Sequence, residues 1–518
     1  MRYFNVAGPC RKAEHYMIEA STRLKGVEQL INMKQYFAIH AARQSGKTTY
    51  LQDLTQRLNA EGKYYAVYCS LESVQNIVEP EKGIPAIIGQ ISYALTIYKI
   101  PHYENFAKQA DFNDYVGVLT MELTKYIELL DKPLVIFFDE ADCLSDNTLV
   151  SFLRQLRLGY NNRGIAPFIH SVALVGMRNI RDYKAKVRPD SESLGSASPF
   201  NIVSKALTLQ NFTQEEIALL YQQHTDEIGQ HFDEDAIELV FQQTQGQPWL
   251  VNAIAREMIF EKLDSDFTQP ITAELVEEAI QTIILRRDTH IDSLLERLKE
   301  DRVRRVIEPM VTGEDFSERL SDDYQYVCDL GLISDKNGKI KPANPIYAEV
   351  ITRILTYETQ QQLLQDKKCR DFPFYIKDGK IDMNALLGDF QQHWRENSDI
   401  WGKKFHYEEA AAQFVFQSFL QRIVNSKGRI MREFATGTKR VDVCVIYNGK
   451  KYPIELKIRR GKKTLTEGLE QTLEYMDTLG CNEGWLMLFD QRTNATWDDK
   501  IFMKKETFDE KTITVVGL

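Results

Sequence analysis

The segment Ala41–Thr49, "AARQSGKTT", constrains the fold of this chain more than any other stretch. It matches the spacing of the phosphate-binding loop G-x-x-x-x-G-K-[ST], except that Ala41 replaces the first glycine. An apolar strand, Tyr36–His40, precedes the loop, and a segment with helical spacing follows it. A loop between a strand and a helix N-terminus directs backbone N–H groups toward an anion. The pattern therefore predicts an α/β core that binds a polyphosphate.

Within the loop, each residue type has a distinct expected role. Gly46 permits close approach of the backbone, Lys47 reaches the β- and γ-phosphates, and the Thr48 hydroxyl binds Mg²⁺. Ala41 costs nothing where the loop leaves the strand if its backbone φ is negative. The residues predicted to contact the nucleotide are Ala41, Arg43, Gln44, Ser45, Gly46, Lys47, Thr48 and Thr49.

Two further strands carry polar residues at their ends. In "KPLVIFFDEAD", five apolar residues lead to Asp139 and Glu140, the arrangement of a Walker B strand. Asp139 is expected to hold Mg²⁺ through water, and Glu140 to polarise the attacking water. The strand "SVALVGMRN" ends near Arg178, which is either a sensor of the γ-phosphate or an ordinary surface residue. Together the two Walker elements predict binding of ATP and its hydrolysis.

Residues 211–365 are mostly helical and contain two further signals. One is "GQPWL" at Gly246–Leu250, and the other is a helix–hairpin–helix pattern around Asn337-Gly338. With the P-loop core before them, they resemble AAA-like and STAND-type ATPases, in which a helical lid with a GxP turn precedes a winged helix. The opening "YFNVAGP" resembles the N-terminal segment of the bacterial AAA-like ATPase-domain family. That resemblance implies that Tyr3–Pro9 lie near the base pocket. The AAA-like resemblance implies a possible homo-oligomer formed through the ATPase domain, because such sites often complete each other across subunits.

A hairpin near the C-terminus brings two acids together. Asn448-Gly449 predicts a two-residue turn, which fixes the strand register. In this register Asp442 lies opposite Glu455, with Cβ atoms about 5 Å apart. Lys457 lies on the same face as both acids, because residues two apart point the same way. Pro453 cannot donate to a ladder, so it predicts a gap or an edge in the second strand.

Two carboxylates that face each other repel, and two ways of offsetting this repulsion remain open. Mg²⁺ or Mn²⁺ would bind between oxygen ligands, with Lys457 polarising a metal-bound water or the scissile phosphate. Alternatively, Lys457 and Arg440 simply neutralise the acids across the sheet. Residues 427–463 contain twelve Lys or Arg and three Asp or Glu, in a chain of net charge −10. This window is either a contact for a phosphate backbone or a solvated basic face.

The pattern Asp442…Glu455-x-Lys457 on adjacent strands resembles the core motif of the PD-(D/E)xK nuclease superfamily. The resemblance implies that Asp442 and Glu455 are metal ligands and that Lys457 is the catalytic lysine. It also implies that Glu409 is the acid of the first helix and Gln471 the glutamine of the following helix. Each of the last two has the alternative interpretation of an exposed polar residue.

The predicted fold class is α/β: a P-loop NTPase core with a helical lid and a winged-helix domain, plus a C-terminal restriction-endonuclease-like α/β domain. The predicted boundaries are 1–210 for the ATPase core, 211–270 for the lid, 271–365 for the winged-helix region, 366–400 for a linker and 401–518 for the nuclease-like domain.

Composition narrows the functional class. At 43% hydrophobic and 27% charged residues, the chain is typical of a globular protein. No apolar run approaches the ~20 residues that cross a bilayer, so no membrane partner is expected. Seven scattered cysteines without a CxxC pair predict a reducing, cytoplasmic location rather than a disulfide framework.

The predicted function is an ATP-binding and ATP-hydrolysing protein that regulates or powers a metal-dependent nuclease. Its expected substrate is DNA in preference to RNA, and genome defence or mobile-element maintenance fits this architecture by analogy. The alternative is a nucleotide-dependent switch whose nuclease-like domain only binds nucleic acid or a partner. A processive DNA motor is a third candidate, but the sequence contains no helicase-like motifs beyond the two Walker elements.

Overall fold

The structure is a computed structural model that describes residues 1–19, 23–176, 203–286, 289–311, 321–336, 339–365, 372–404, 415–421, 429–433, 442–459, 463–490, 492 and 495–518. The chain divides into two compact units. The first comprises Met1–Arg286 with Asp329–Gly331, and the second comprises Arg287–Cys328 with Leu332–Leu518. The division into five predicted segments stays a prediction.

The first unit contains a five-stranded parallel sheet with the strand order β2-β3-β4-β1-β5. Its strands are β1 (Tyr36–His40), β2 (Tyr65–Ser70), β3 (Leu134–Asp139), β4 (Ser171–Gly176) and β5 (Val203–Thr208). Its helices are α1 (Val27–Asn32), α2 (Lys47–Glu61), α3 (Pro80–Ile97), α4 (Val118–Ile127) and α5 (Asp146–Asn161). The alternation of strands and helices confirms the predicted α/β core.

Both faces of this sheet are covered. Every residue of β3 and β4 is buried, as expected for central parallel strands between helical layers. Ile136 and Phe138 pack toward α3, α4 and α5, whereas Val135 and Phe137 pack toward α1 and α2. The carboxyl ends of β1 and β3 lie at the same edge, separated by β4. This order brings the loop after β1 close to the acids at the end of β3.

Four α-helices follow the sheet within the first unit: α6 (Gln214–Ile228), α7 (Glu234–Thr244), α8 (Pro248–Arg256) and α9 (Ala273–Arg286). A π-helical segment, Glu257–Lys262, continues α8. Helix α6 begins at a capping box in which Thr213 accepts from the Glu216 backbone N–H and the Glu216 carboxylate accepts from that of Thr213. Between α7 and α8 the chain turns at Gly246, whose φ is +72°.

C-terminal to α9 the elements run α10 (Thr289–Leu298), α11 (Asp301–Val311), α12 (Asp322–Asp329), β6 (Ile333–Lys336), β7 (Lys339–Pro342) and α13 (Pro345–Gln365). Strands β6 and β7 pair in antiparallel register. The predicted order of helix, hairpin and helix is therefore present. The predicted turn at Asn337-Gly338 lies outside the described residues.

The second unit ends in a six-stranded mixed sheet with the order β10-β11-β12-β13-β15-β14. Its strands are β10 (Arg429–Glu433), β11 (Asp442–Tyr447), β12 (Lys450–Arg459), β13 (Glu483–Asp490), β14 (Phe502–Phe508) and β15 (Lys511–Gly517). The helices are α14 (Met383–Lys404), α15 (Lys463–Leu479) and α16 (Trp497–Lys500), with a helical segment at residues 415–421. Strands β10, β11 and β12 form an antiparallel meander, and β13 pairs with β12 in parallel.

The segment 366–400, expected to be a linker, contains ordered elements from residue 372 onward. A short hairpin of β8 (Ile376–Lys377) and β9 (Lys380–Ile381) precedes α14. Phe390 and Trp394 of α14 pack against Phe489 of β13, so this helix covers part of the C-terminal sheet.

Two expectations from composition concern the whole chain. In the described part, six cysteines are all free thiols, in agreement with the absence of a disulfide framework. None of the described helices has both the length and the apolar character that crossing a membrane requires.

Candidate functional site

The loop between β1 and α2 has the backbone geometry of an anion-binding loop. Gly46 precedes α2 with a φ of +91°, and Gln44 has a φ of +56°. A Cβ on Gly46 would meet no atom closer than 3.7 Å, so backbone conformation rather than space requires glycine there. Ala41 is not among the described residues with positive φ. Its side chain is therefore tolerated at the first position of the motif, as the sequence predicted.

Lys47 lies over this loop. Its Nζ donates to the carbonyl oxygens of Ala41 and Ala42, at 2.8 and 2.9 Å. Burial lowers the pKa of Lys47, and the negative charge of Asp139 opposes that shift. The ammonium is thus held between the loop and the acids at the end of β3, where the predicted β- and γ-phosphates would lie.

Asp139 connects three elements. Its Oδ2 accepts a hydrogen bond from Thr48 Oγ1 of α2 at 2.7 Å, and another from Tyr68 OH of β2 at 3.1 Å. The Asp139 side chain is buried. Carboxylate and hydroxyl oxygens are the ligands that Mg²⁺ prefers, so this pair fits the predicted cation. Tyr68 was not predicted, because its partner lies on a neighbouring strand.

Glu140 follows β3 in a left-handed conformation, with a φ of +55°. Its backbone N–H donates to Asp139 Oδ1 at 3.0 Å. Burial, and then the nearby charge of Glu72, raise the pKa of Glu140 to about 7. A carboxyl group with a pKa near neutrality is suited to accept a proton from an attacking water.

The remaining predicted residues have more local roles. Ser45 Oγ donates to the carbonyl of Ala42 at 2.8 Å. Thr49 Oγ1 accepts from the Cys10 backbone N–H at 3.0 Å, and Arg43 is exposed. Arg178 lies outside the described residues. Arg163 donates to three backbone carbonyls and stacks on Tyr160, which engages it structurally.

Two residues that the sequence did not predict donate hydrogen bonds to backbone carbonyls of the P-loop. Arg23 is 7% exposed and donates to the carbonyls of Ser45 and Gln210, at 2.9 and 2.8 Å. Gln247, inside the predicted "GQPWL" turn, donates to the carbonyl of Gln44 at 3.4 Å. The turn itself was predicted, but its contact with the P-loop was not. No signal in the sequence distinguishes Arg23 from other arginines.

The N-terminal segment lies beside the same site. The carbonyl of Val6 accepts from Trp249 Nε1 at 2.9 Å, which ties the segment to α8. A cleft of about 260 Å³ opens beside Thr49 and Tyr50. The segment therefore lies next to the start of α2, and its expected position near a base pocket stays a prediction.

The second predicted site lies in the C-terminal sheet. Val443 pairs with Ile454 and Tyr447 with Lys450, which is the predicted register. Extended by one residue, this register sets the backbone of Asp442 opposite Glu455. The side chain of Asp442 and all of Glu409 lie outside the described part. Pro453 lies opposite Cys444 in the ladder with β11, and the pairing of β12 with β13 begins only at the next residue, Ile454.

Glu455 and Lys457 form a buried ion pair. Lys457 Nζ lies 2.6 Å from Glu455 Oε1, and the side chains are 6% and 1% exposed, respectively. Helix α15 covers this face, since a Cβ on Gly468 would lie 3.3 Å from Lys457 Cγ. Gln471 is a half-buried residue of α15. Among the described residues, no group of three or more His, Cys, Asp or Glu could hold a metal ion.

The comparisons with known proteins agree with the first site. A profile described as an AAA-like domain matches residues 7–353, about two thirds of the chain. The chain therefore belongs to the AAA-like domain family, and it has a P-loop ATPase-like α/β core. A second profile, a domain of unknown function (DUF8371), matches residues 389–493. No curated protein matches.

Solved structures resemble the chain at low sequence identity. The Walker-type ATPase PABY2304 of Pyrococcus abyssi is 13% identical, with 67% of this chain and 99% of that chain covered and a TM-score of 0.46. The Aeropyrum pernix Orc1 protein in complex with DNA is 12% identical over 86% and 91% of the two chains, with a TM-score of 0.35. The Thermotoga maritima RuvB Holliday junction branch migration motor is 13% identical over 64% and 92%, with a TM-score of 0.32.

Proposed function

We propose that this chain is an ATP-binding and ATP-hydrolysing protein that regulates a metal-dependent nuclease domain acting on DNA. The observation that carries the proposal is the buried Glu455–Lys457 pair, 2.6 Å apart on one face of β12. A buried ion pair contributes little net stability, because desolvation offsets the attraction between the charges. A charged pair that is buried without adding much stability is therefore a candidate for a functional role. The same chain carries a second set of charged groups at the P-loop.

The ATPase part rests on four residues at one edge of the parallel sheet. Lys47 would neutralise charge on the β- and γ-phosphates, and Glu140 would accept the proton of the attacking water. Thr48 and Asp139 would hold Mg²⁺, which supplies positive charge to the phosphate oxygens. Helices α6–α9 would act as the lid, and α10–α13 with the β6–β7 hairpin as the winged helix.

The nuclease part rests on sheet topology together with residue type. An antiparallel meander followed by a parallel strand, with the carboxylate and lysine on the third strand, supports the PD-(D/E)xK resemblance. Glu455 and, by register, Asp442 offer the oxygen donors that Mg²⁺ or Mn²⁺ requires. Lys457 would stabilise negative charge that develops on the phosphate as water attacks and the P–O bond breaks.

The test is cleavage of plasmid and linear DNA in Mg²⁺ or Mn²⁺ by the wild-type chain and by Glu455→Gln. The substitution preserves shape and removes the carboxylate charge. We expect cleavage to fall by at least about 100-fold, the effect of losing one electrostatic group at such a site. The Glu506→Gln variant on β14, where a partly exposed Glu pairs with Lys504, is the control. Equal cleavage by Glu455→Gln and the wild type would remove the nuclease assignment.

A second candidate is a switch whose C-terminal domain only binds nucleic acid or a partner. The near-complete burial of Glu455 and Lys457 beneath α15 favours it, because a closed ion pair has no access to a substrate. EDTA discriminates between the two functions. A domain that only binds retains its affinity for DNA in EDTA and cleaves DNA under no metal condition.

A further inference from the structure

Two arginines meet at one carboxylate where β12 and β13 end. Arg459 is the last residue of β12 and pairs in parallel register with Asp490, the last residue of β13. Arg459 Nη1 lies 3.5 Å from Asp490 Oδ2. Arg492 donates from Nη2 to Asp490 Oδ2 at 2.6 Å and from Nε to Asp490 Oδ1 at 2.9 Å. One carboxylate therefore orients two guanidinium groups.

Within this cluster the Asp490 carboxylate is buried, whereas Arg459 and Arg492 are partly exposed to solvent. The Asp490 side chain is 2% exposed, whereas those of Arg459 and Arg492 are 20% and 36% exposed. Burial alone would raise the pKa of Asp490, but its hydrogen bonds with Arg492 hold that pKa below the ordinary value. Asp490 therefore stays ionised at neutral pH. Arg459, Arg492 and Asp490 together carry a net charge of +1, and Asp499 is a further negative charge near Arg492.

The cluster continues the face that carries the candidate nuclease pair. Residues two apart on a strand point the same way, so Arg459 follows Glu455 and Lys457 on one face of β12. Of these three, only Arg459 has a side chain that is partly open to solvent. It lies about 7 Å along the strand from Lys457, at ~3.3 Å per residue.

We propose that Arg459 and Arg492 form a phosphodiester-binding site that holds the backbone of a nucleic-acid strand beside Glu455 and Lys457. This inference rests on the proposed nuclease function and names the contact that positions its substrate. The planar guanidinium fork matches two phosphate oxygens, and an orientation fixed by Asp490 reduces the entropy lost on binding. Asp490 is a positioning residue, because it acts only through the two arginines.

The experiment measures binding without cleavage. The full chain, in EDTA, is titrated against fluorescein-labelled single-stranded DNA, duplex DNA and single-stranded RNA of one sequence, over a range of NaCl concentrations. Each phosphate contact contributes about 0.7 to 0.9 to the slope of log Kd against log [NaCl]. We expect Arg459→Gln with Arg492→Gln to reduce that slope by about 1.5 for the preferred probe. Arg459→Lys with Arg492→Lys should retain the slope and bind more weakly. Lysine keeps the positive charge but lacks the planar guanidinium group that bonds two phosphate oxygens.

The matched control is Arg57→Gln in the first unit. Arg57 is 35% exposed and paired with Asp53 and Glu28, so it resembles Arg492 in type, exposure and partners. The slope of log Kd against log [NaCl] for Arg57→Gln should equal that of the wild type. If the double variant fails to fold, Arg492→Gln against Arg492→Lys carries the same test, with a slope difference of about 0.8.

An unchanged slope in the folded Gln variants would overturn the inference, as would the absence of binding to all three probes. Neither result depends on cleavage. Loss of activity in Glu455→Gln tests the proposed function, so the two hypotheses can fail separately. The probe with the lowest Kd at a fixed NaCl concentration identifies the preferred nucleic acid as DNA or RNA.

Discussion

At the scale of single residues, Asp139 Oδ2 is the shared acceptor of the nucleotide site. It receives the hydroxyls of Thr48 and Tyr68, from a helix and from a neighbouring strand. The bond from Thr48 follows from the two Walker patterns. The bond from Tyr68 depends on the parallel pairing of β2 with β3, in which Ser70 is opposite Asp139. Tyr68 is therefore a positioning residue for the carboxylate that is expected to hold Mg²⁺.

Replacing Tyr68 with Phe removes this hydrogen bond and little volume. A hydrogen bond to a charged group contributes about 1.5–3 kcal/mol, and 1.36 kcal/mol corresponds to a tenfold rate change. We expect ATP hydrolysis to fall at least about tenfold, with a smaller change in the Kd of a fluorescent ATP analogue. Tyr65→Phe is the matched control, since Tyr65 lies on the same strand and its hydroxyl bonds the remote Asp131. Equal turnover in Tyr68→Phe and Tyr65→Phe would contradict this role.

Glu140 gives a second prediction at the residue scale. Substitution of Glu140 by Gln keeps the shape of the side chain and removes its ability to accept a proton. Since a positioned base contributes about 10²- to 10⁴-fold, we expect hydrolysis to fall within that range while ATP binding persists. Turnover measured by phosphate release, beside binding of the same ATP analogue, separates the two effects. Retained turnover would assign the base to another group.

At the scale of elements, the turn between α7 and α8 joins the helical region to the P-loop. Gly246 has a φ of +72°, and a Cβ there would lie 1.8 Å from the carbonyl oxygen of Phe212. The next residue, Gln247, donates to the carbonyl of Gln44. Arg23 holds Ser45 from the other side and stacks on Phe212. Any displacement of this turn therefore changes the carbonyl contacts of the P-loop.

Gly246→Ala should be destabilising because both conformation and space oppose a Cβ. Strained backbone at a positive φ costs about 1–3 kcal/mol, and the contact with Phe212 adds to it. The matched control is Gly89→Ala inside α3, where a Cβ meets nothing within 4 Å. There alanine should stabilise by up to about 1 kcal/mol, the difference in helix propensity. Thermal unfolding of both variants measures this opposite response, and a melting temperature of Gly246→Ala at or above that of the wild type would exclude the strain.

At the scale of the whole molecule, each of the two compact units carries one candidate site. The P-loop site belongs to the first, and Glu455 and Lys457 belong to the second. If nucleotide regulates cleavage, the two sites must be separable by mutation. Lys47→Ala should abolish the response of cleavage to ATP, and Lys457→Ala should abolish cleavage while ATP hydrolysis continues.

The measurement is cleavage of plasmid and linear DNA in Mg²⁺ or Mn²⁺, with and without ATP, for both variants and the wild type. Phosphate release is followed in the same samples. Loss of cleavage in Lys457→Ala together with an altered ATP response in Lys47→Ala identifies a nucleotide-gated nuclease. Hydrolysis of ATP without cleavage in any condition would favour the switch instead.

The sequence by itself determined the local features of this protein. The loop Ala41–Thr49, the strand ending in Asp139 and the register set by Asn448-Gly449 follow from spacing, because each depends on residues close in the chain. The pairing of Val443 with Ile454 was predictable for the same reason. Glycine at position 46 is likewise explained by the conformation of one residue.

Only the tertiary structure decided which distant residues complete the sites. Strand order brings Tyr68 to Asp139, helix docking brings Gln247 to the P-loop, and parallel pairing brings Arg459 to Asp490. These contacts join residues far apart in sequence, and short-range patterns carry no information about them. Burial is decided at the same level. In the sequence, Glu455 and Lys457 are polar residues that alternate with apolar ones along a strand. The packing of α15 over them makes them a buried charge pair.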